Sequence, residues 1–226
     1  MSYIWEKFNI KTFAAETIVY RDGVYCPELS TLKNDTISQK YDLPVHIIYV
    51  GEISDENNLD INIAADSQPV FLTVKIKNKK PAFFNIFVKN TGKNSELRGH
   101  VILENQDRLN VNILAEHLSA NTGILIHTKL LAHENSVSKL SGLAKIYSGC
   151  PECVSDISFA ALKDENARIE FLPAQRIASV PQSADHSAAI YTPRPIQIQY
   201  LRNAGLSGAE ANNLMRDAFI NNNPLF

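Results

Sequence analysis

The amino-acid sequence predicts an all-β body followed by a short helical appendage. Two patterns carry that reading: a succession of short strand-like runs between residues 59 and 178, and a switch to helical spacing after residue 193.

The runs begin with Leu-Asp-Ile-Asn-Ile at 59–63, Val-Phe-Leu-Thr-Val-Lys-Ile at 70–76 and Phe-Phe-Asn-Ile-Phe-Val at 83–88. They continue at 100–104, 109–114, 124–130, 140–147, 154–159 and 167–172. Several alternate apolar and polar residues, the period-two signature of a half-buried strand. Polar turns separate them, such as Asn-Thr-Gly-Lys-Asn at 90–94 and Ser-Ala-Asn-Thr-Gly at 119–123. Asparagine is abundant in these turns and glycine scarce, with 9 in the whole chain. Short strands repeating about every dozen residues suit a β-sandwich or a β-solenoid, and periodicity does not choose between them.

The ending has a different rhythm. Ile196, Tyr200, Leu201 and Ala204 fall on one helical face, and Gly205 supplies a C-terminal stop. Ser207 followed by Glu210 is a capping-box pattern that starts a second helix. Its apolar stripe is Ala211, Leu214, Met215, Ala218 and Phe219, with offsets 0, 3, 4, 7 and 8. That stripe either covers the open end of the β body or serves in part as a docking surface. The chain thus divides into a β core over 1–192, with an irregular or β lead-in over 1–58, and a helical segment over 193–226.

Composition excludes several classes. With 226 residues, 45% apolar and 20% charged, the chain is an ordinary globular one. A net charge of −2 provides no field to hold nucleic acid or anionic membrane. No apolar run approaches the roughly 20 residues of a membrane helix, and the first eight residues lack the pattern of a secretory leader. Three cysteines, Cys26, Cys150 and Cys153, make a poor disulfide framework and fit a reducing cytoplasm.

Chemistry-bearing residues are few. Cys150-Pro-Glu-Cys153 places two thiols where they can bite one soft metal ion or close a disulfide. A zinc site needs two further ligands; no second pair exists, and only His127 and His133 offer themselves. The six histidines, His46, His100, His117, His127, His133 and His186, show no helical metal spacing. His186 stands apart in the small-residue segment Ser-Ala-Asp-His-Ser-Ala-Ala at 183–189, between strands and helices. There an imidazole suits iron ligation or proton movement near neutral pH. Glycine-rich nucleotide loops and the GxSxG elbow are absent, which argues against nucleotide hydrolysis and acyl transfer.

Four segments, in order, resemble the SufB/SufD family of the SUF iron–sulfur assembly machinery, and within it SufD most. They are Val-Tyr-Arg-Asp-Gly-Val-Tyr-Cys-Pro-Glu-Leu-Ser at 19–30, Leu-Lys-Asp-Glu-Asn-Ala-Arg-Ile-Glu-Phe-Leu-Pro-Ala-Gln-Arg-Ile at 162–177, the histidine segment at 183–189, and Ile-Gln-Tyr-Leu-Arg-Asn-Ala-Gly-Leu-Ser-Gly-Ala-Glu-Ala at 198–211. The last is the most specific; residues 60–150 match through strand rhythm alone.

The resemblance implies a right-handed parallel β-helix with its helical appendage, which resolves the choice of fold. It further implies a scaffold rather than an enzyme, one that pairs through the β-helix with a SufB-type subunit, or with itself where that partner is absent. A SufC-type ABC ATPase would dock on the terminal helices at Tyr200, Leu201, Leu214, Met215 and Phe219. His186 would ligate iron or a transient iron–sulfur cluster near the subunit interface, with no cofactor held tightly by the isolated chain. The chain departs from the family pattern in lacking a long N-terminal helical region and in carrying Ala184 where SufD often has cysteine. It has no counterpart of the sulfur-accepting SufB cysteine in the 160–170 stretch, and Ser187 replaces the SufB glutamate after the histidine. Cys150 and Cys153 fall near a cysteine-containing stretch of SufB, which leaves a divergent SufB-like scaffold as a secondary expectation. Two rival readings are a stand-alone metal- or sugar-binding β-solenoid and a purely structural interaction protein.

Overall fold

A computed structural model describes residues 16–32, 44–53 and 57–221. Its strands are β1 (Glu16–Arg21), β2 (Val24–Tyr25), β3 (Val45–Ile53), β4 (Asn57–Ala65), β5 (Val70–Asn78), β6 (Ala82–Asn90) and β7 (Glu96–Asn105). They continue as β8 (Arg108–His117), β9 (Gly123–Ala132), β10 (Val137–Ile146), β11 (Val154–Lys163), β12 (Arg168–Ile177) and β13 (Ser183–Tyr191). Two helices follow, α1 (Pro195–Asn203) and α2 (Gly208–Asn221). The opening eight residues, and the parts of the lead-in at 1–15, 33–43 and 54–56, lie outside the described residues.

The chain alternates between two sheets. One has the order β13-β11-β9-β7-β5-β3-β1-β2 and the other β12-β10-β8-β6-β4. Every pairing is parallel except the β1–β2 hairpin. Register returns after 25 to 31 residues, through Val45↔Val70, Val70↔Leu97, Leu97↔Ile124, Ile124↔Ser155 and Ser155↔Ala184. This is a β-solenoid of about 5 turns, as the family resemblance implies, and not a sandwich. The right hand expected for it is the one parallel crossovers adopt almost without exception.

Alternation sets the inside and outside of each turn. Val70, Leu72, Val74 and Ile76 of β5, Leu97, Val101 and Leu103 of β7, and Ile124, Ile126 and Leu130 of β9 all face inward and are buried in one continuous core. The sheets approach so closely that a Cβ on Gly142 would lie 2.8 Å from Ile157 and 2.9 Å from Phe159 on the opposite sheet. Stacked amides secure the corners: Asn78 Nδ2 donates to Asn105 Oδ1 at 2.8 Å, and Asn105 Nδ2 to Ser138 Oγ at 2.7 Å.

The corners also explain the asparagines. Asn94, Asn121 and Asn135 have positive φ (63°, 54° and 62°), each two residues before a strand, β7, β9 and β10 respectively. Asparagine tolerates this left-handed region better than other non-glycine residues, so it takes the place of glycine at these bends. Glu152 occupies the equivalent position before β11 with φ 58°.

Every sequence-predicted run falls on one of the strands β4 to β12, overrunning only at Tyr147, one residue past β10, and Ala167, one residue before β12. Three further strands, β1 to β3, lie in the lead-in, where alternation is absent for a physical reason. In β1 and β3 the outward residues Val19, Ile48 and Val50 are covered by Cys26 and Leu29, so both faces are buried along 18–20 and 47–50, which are apolar or aromatic throughout. β2, two residues long with Val24 exposed, is too short to show alternation. The segment at 183–189 is likewise a strand rather than a connector.

Both helices lie where the sequence places them. Pro195 opens α1, and Gly205 at φ 97° ends the connection. The capping box is formed: Ser207 N donates to Glu210 Oε2 at 2.8 Å, and Glu210 N to Ser207 Oγ at 3.2 Å. No helix among the described residues is long and apolar enough to cross a membrane.

Candidate functional site

Among the described residues the last turn of the solenoid carries no cap. There β12 pairs only with β10, and β13 only with β11, so each leaves a row of backbone donors and acceptors unpaired by any further described strand. Leu172, Ile177, Ile190 and Tyr191 are exposed there.

His186 sits in the middle of β13. Its register partner is Ile157, which is buried in the core, so His186 falls on the inward column; it is exposed because no turn stacks beyond it. Its neighbours on that column are Ala184, beside Ser155, and Ala188, beside Phe159. Phe159 and Phe171 form the apolar floor of this last turn, with ring centroids 5.4 Å apart. The inward lining becomes more polar here: Thr128 Oγ1, Ser155 Oγ and Gln175 Nε2 are buried without a hydrogen-bond partner among the described residues. In the middle turns those columns carry mainly Val, Ile and Leu.

Cys150 and Cys153 lie at the corner behind β13, buried with Ile146 and packed against Ala184. The Cys153 thiol donates to the carbonyls of Cys150 (3.3 Å) and Ser119 (3.4 Å) and lies 3.2 Å from Thr122 Oγ1, which in turn is 2.7 Å from His117 Nδ1. Burial, and then the neighbouring Cys153, push the Cys150 thiol up, which favours the protonated form over a ligating thiolate. His127 and His133 are engaged elsewhere, with Asp156 at 2.9 Å and Glu104 at 2.8 Å. Among the described residues no group of three His, Cys, Asp or Glu side chains is arranged to hold a metal ion. His46, His100 and His117 are buried, and burial lowers each to about 4, so they are neutral at physiological pH.

The helical tail docks on the outer face of the larger sheet rather than over the open end. Lys129 Nζ donates to the carbonyls of Phe219 (2.7 Å) and Ile220 (3.1 Å), capping the negative end of α2. Arg216 grips both carboxylate oxygens of Asp164 at 3.0 and 2.9 Å, and Phe219 meets Tyr191 edge-on at 6.2 Å. Ala211 is fully buried. The five tail residues proposed from sequence therefore separate. Phe219 belongs to the joint with the solenoid, while Tyr200 (73% exposed) and Leu214 (48%) face solvent. Leu201 and Met215 line a cleft of about 370 Å³ between the helices, with Ile196, Gln197 and Tyr200.

Sequence reasoning missed Lys129, Asp164 and Arg216, whose partnership links residues far apart in the chain and leaves no local signal. The sequence admits an open end to the β body but offers the tail as its cover; the tail lies instead on the outer face, and Leu172, Ile177 and Ile190 stay exposed.

Residues 46–219 match the family model described as "SUF system FeS cluster assembly, SufBD core domain". No curated protein matches the chain.

Proposed function

The chain belongs to the SufBD core family of the SUF iron–sulfur cluster assembly system, and we propose that it is the SufD-type accessory scaffold of a cytoplasmic assembly complex. Its role is binding and assembly rather than turnover. The observation that carries this is the pairing of an uncapped last turn, bearing His186, with a helical tail whose Ile196, Tyr200 and Leu214 stay exposed.

The free edges of β12 and β13 offer backbone ladders to a strand of a SufB-type subunit, with Leu172, Ile177 and Ile190 supplying apolar contact. In the absence of that subunit, a second copy of the chain can use the same edges. His186, exposed on the mouth of the last turn, is placed to offer an imidazole nitrogen to iron at that seam, the cluster being cargo passed on rather than a resident group. The cleft at Ile196, Tyr200, Leu201 and Met215, with Leu214 beside it, is the docking face for a SufC-type ABC ATPase.

Co-expression with a SufB-type subunit and a SufC-type ATPase tests this reading. The ATPase is expected to co-purify, and Tyr200→Asp or Leu214→Asp should remove it while the solenoid stays folded by circular dichroism. Undiminished ATPase capture by both variants would refute the docking face. His186→Ala should preserve the complex and lower the iron–sulfur absorbance reconstituted on it.

A further inference from the structure

A second cleft, of about 790 Å³, lies where the tail meets the solenoid; it adjoins the cleft between the helices, sharing Gln197 and Met215 with it, but is not lined by Ile196, Tyr200 or Leu201. Its size falls in the range of small-molecule sites. Ala160 and Leu162 of β11 and Tyr191 of β13 form one wall, and Met215 and Phe219 of α2 the other. The remaining side is the bend at 192–194 and the first turn of α1, including Arg194 and Gln197.

The charges lining it have one sign. Lys129 and Arg194 are basic, and among the described residues no acidic side chain lines the cleft. Arg216, a further cation on α2, is already neutralised by Asp164. Arg194 makes no ion pair among the described residues and is exposed at the start of α1. The positive end of that helix faces the same side, since Arg194 is its N-cap. Lys129 is buried, and burial lowers its pKa, so an anion nearby would relieve a charge now stabilised by helix carbonyls. The walls are apolar and partly aromatic, with the Tyr191 and Phe219 rings edge to face.

We propose that this joint is a binding site for a small organic anion, an aromatic or branched apolar body bearing a phosphate or carboxylate. The anionic group faces Arg194 and the α1 N-terminus, and the apolar body lies between Tyr191, Leu162, Met215 and Phe219. A ligand there touches β9, β11, β13 and both helices at once, so its occupancy fastens the tail to the strand that carries His186.

Isothermal titration calorimetry of the whole chain with phenyl phosphate and with phenylacetate tests this. One-to-one binding of at least one probe is expected. Arg194→Gln should weaken it about tenfold, the worth of one charged hydrogen bond, and Ala160→Trp should abolish it by filling the wall next to Lys129. Tyr200→Asp, in the other cleft, should leave it unchanged. Inorganic phosphate, lacking the apolar body, should bind at least about tenfold more weakly than phenyl phosphate, since burying one aromatic ring is worth more than 1.4 kcal/mol. The site is overturned if neither probe shows saturable binding, if Arg194→Gln leaves affinity intact, or if inorganic phosphate binds as well as phenyl phosphate. The readout involves no partner protein, so it stands or falls independently of ATPase docking.

Discussion

The middle turns of the solenoid and its last turn obey one register and end in opposite conditions. In β9, Ile124, Ile126 and Leu130 are wholly buried because β7 lies on one side and β11 on the other. In β13 the same columns hold Ala184, His186, Ala188 and Ile190, with a neighbour on one side only. On three of these four columns the last residue is alanine or histidine, and only Ile190 stays large. The difference teaches that the last turn is built as a surface: Ala184, His186 and Ala188 are small or polar enough to tolerate water, while Leu172, Ile177 and Ile190 leave apolar area exposed.

The most forceful way to break that comparison is to make equal truncations in both regions. Ile126→Ala should destabilise the chain by about 2–5 kcal/mol, as buried truncations in close-packed cores do. Ile190→Ala should change stability by less than about 1 kcal/mol, because half-exposed side chains have less burial to lose. The second variant should instead weaken association with a SufB-type subunit or with a second copy. Urea unfolding and sedimentation together read both effects; an equal loss of stability at the two positions would mean the end is not open in solution. Gly142→Ala belongs with the first class. The added methyl has no room between Ile157 and Phe159, and a loss of about 1–3 kcal/mol is expected.

Acid should act chiefly on the sealed turns. His46, His100 and His117 are held neutral by burial, with pKa lowered from 6.5 to about 4. Above pH 6.5 folded and unfolded forms are both neutral at these positions. Below it the unfolded chain takes up protons first, so stability falls as pH drops from 6.5 towards 4. Glu104 adds a lower limb: the hydrogen bond from His133, and then the Lys77 contact, lower its pKa from 4.5 to about 2. Its contribution is complete above 4.5 and is lost as pH falls towards 2. Melting temperature should therefore decline in two stages. His46→Gln should flatten the upper limb and Glu104→Gln the lower one.

The joint between solenoid and tail includes the Lys129 cap, the Arg216–Asp164 pair and the Tyr191–Phe219 ring contact. Lys129→Met removes the cap from α2 and leaves the carbonyls of Phe219 and Ile220 without that donor. Faster amide exchange across Gly208–Asn221 is expected, equivalent to about 1–2 kcal/mol of local stability, with exchange in β5 to β8 unchanged. Slowing of exchange in the helix, or loosening of the whole solenoid, would contradict a local cap.

How much was legible in the sequence follows the same division. β4 to β12 could be read because each has one wet face, and alternation records that directly. β1 and β3 could not, since Cys26 and Leu29 dry their second face and erase the alternation. β13 was disguised by its small residues, which suit an open end and imitate a linker. The capping box at Ser207 and Glu210 is local chemistry and was visible. The Lys129 cap and the Arg216–Asp164 pair unite residues 90 and 52 positions apart, beyond the reach of any periodic rule. His186 stands out in the sequence by its small-residue segment, and the family resemblance adds its role as an iron or cluster ligand. Its position on the inward column at the mouth of the last turn follows only from the Ile157 register.

The smallest expected effect concerns the corners. Asn94, Asn121 and Glu152 each stand two residues before a strand of the larger sheet, on successive turns, with φ between 54° and 63°. The backbone demands a left-handed residue at all three, yet only two are of a type that accepts it readily. Glu152 N is already satisfied by the Val180 carbonyl at 3.0 Å, and its side chain is exposed, so replacing it removes no buried contact. Glu152→Asn should therefore stabilise the chain by a few tenths of a kcal/mol and Glu152→Gly by somewhat less than about 1 kcal/mol, the glycine gain being offset by greater freedom of the unfolded chain. A loss of stability in both variants would show that the glutamate side chain holds this corner through a contact of its own. In that case the bend beside Cys150 and Cys153 would be built differently from the two turns before it.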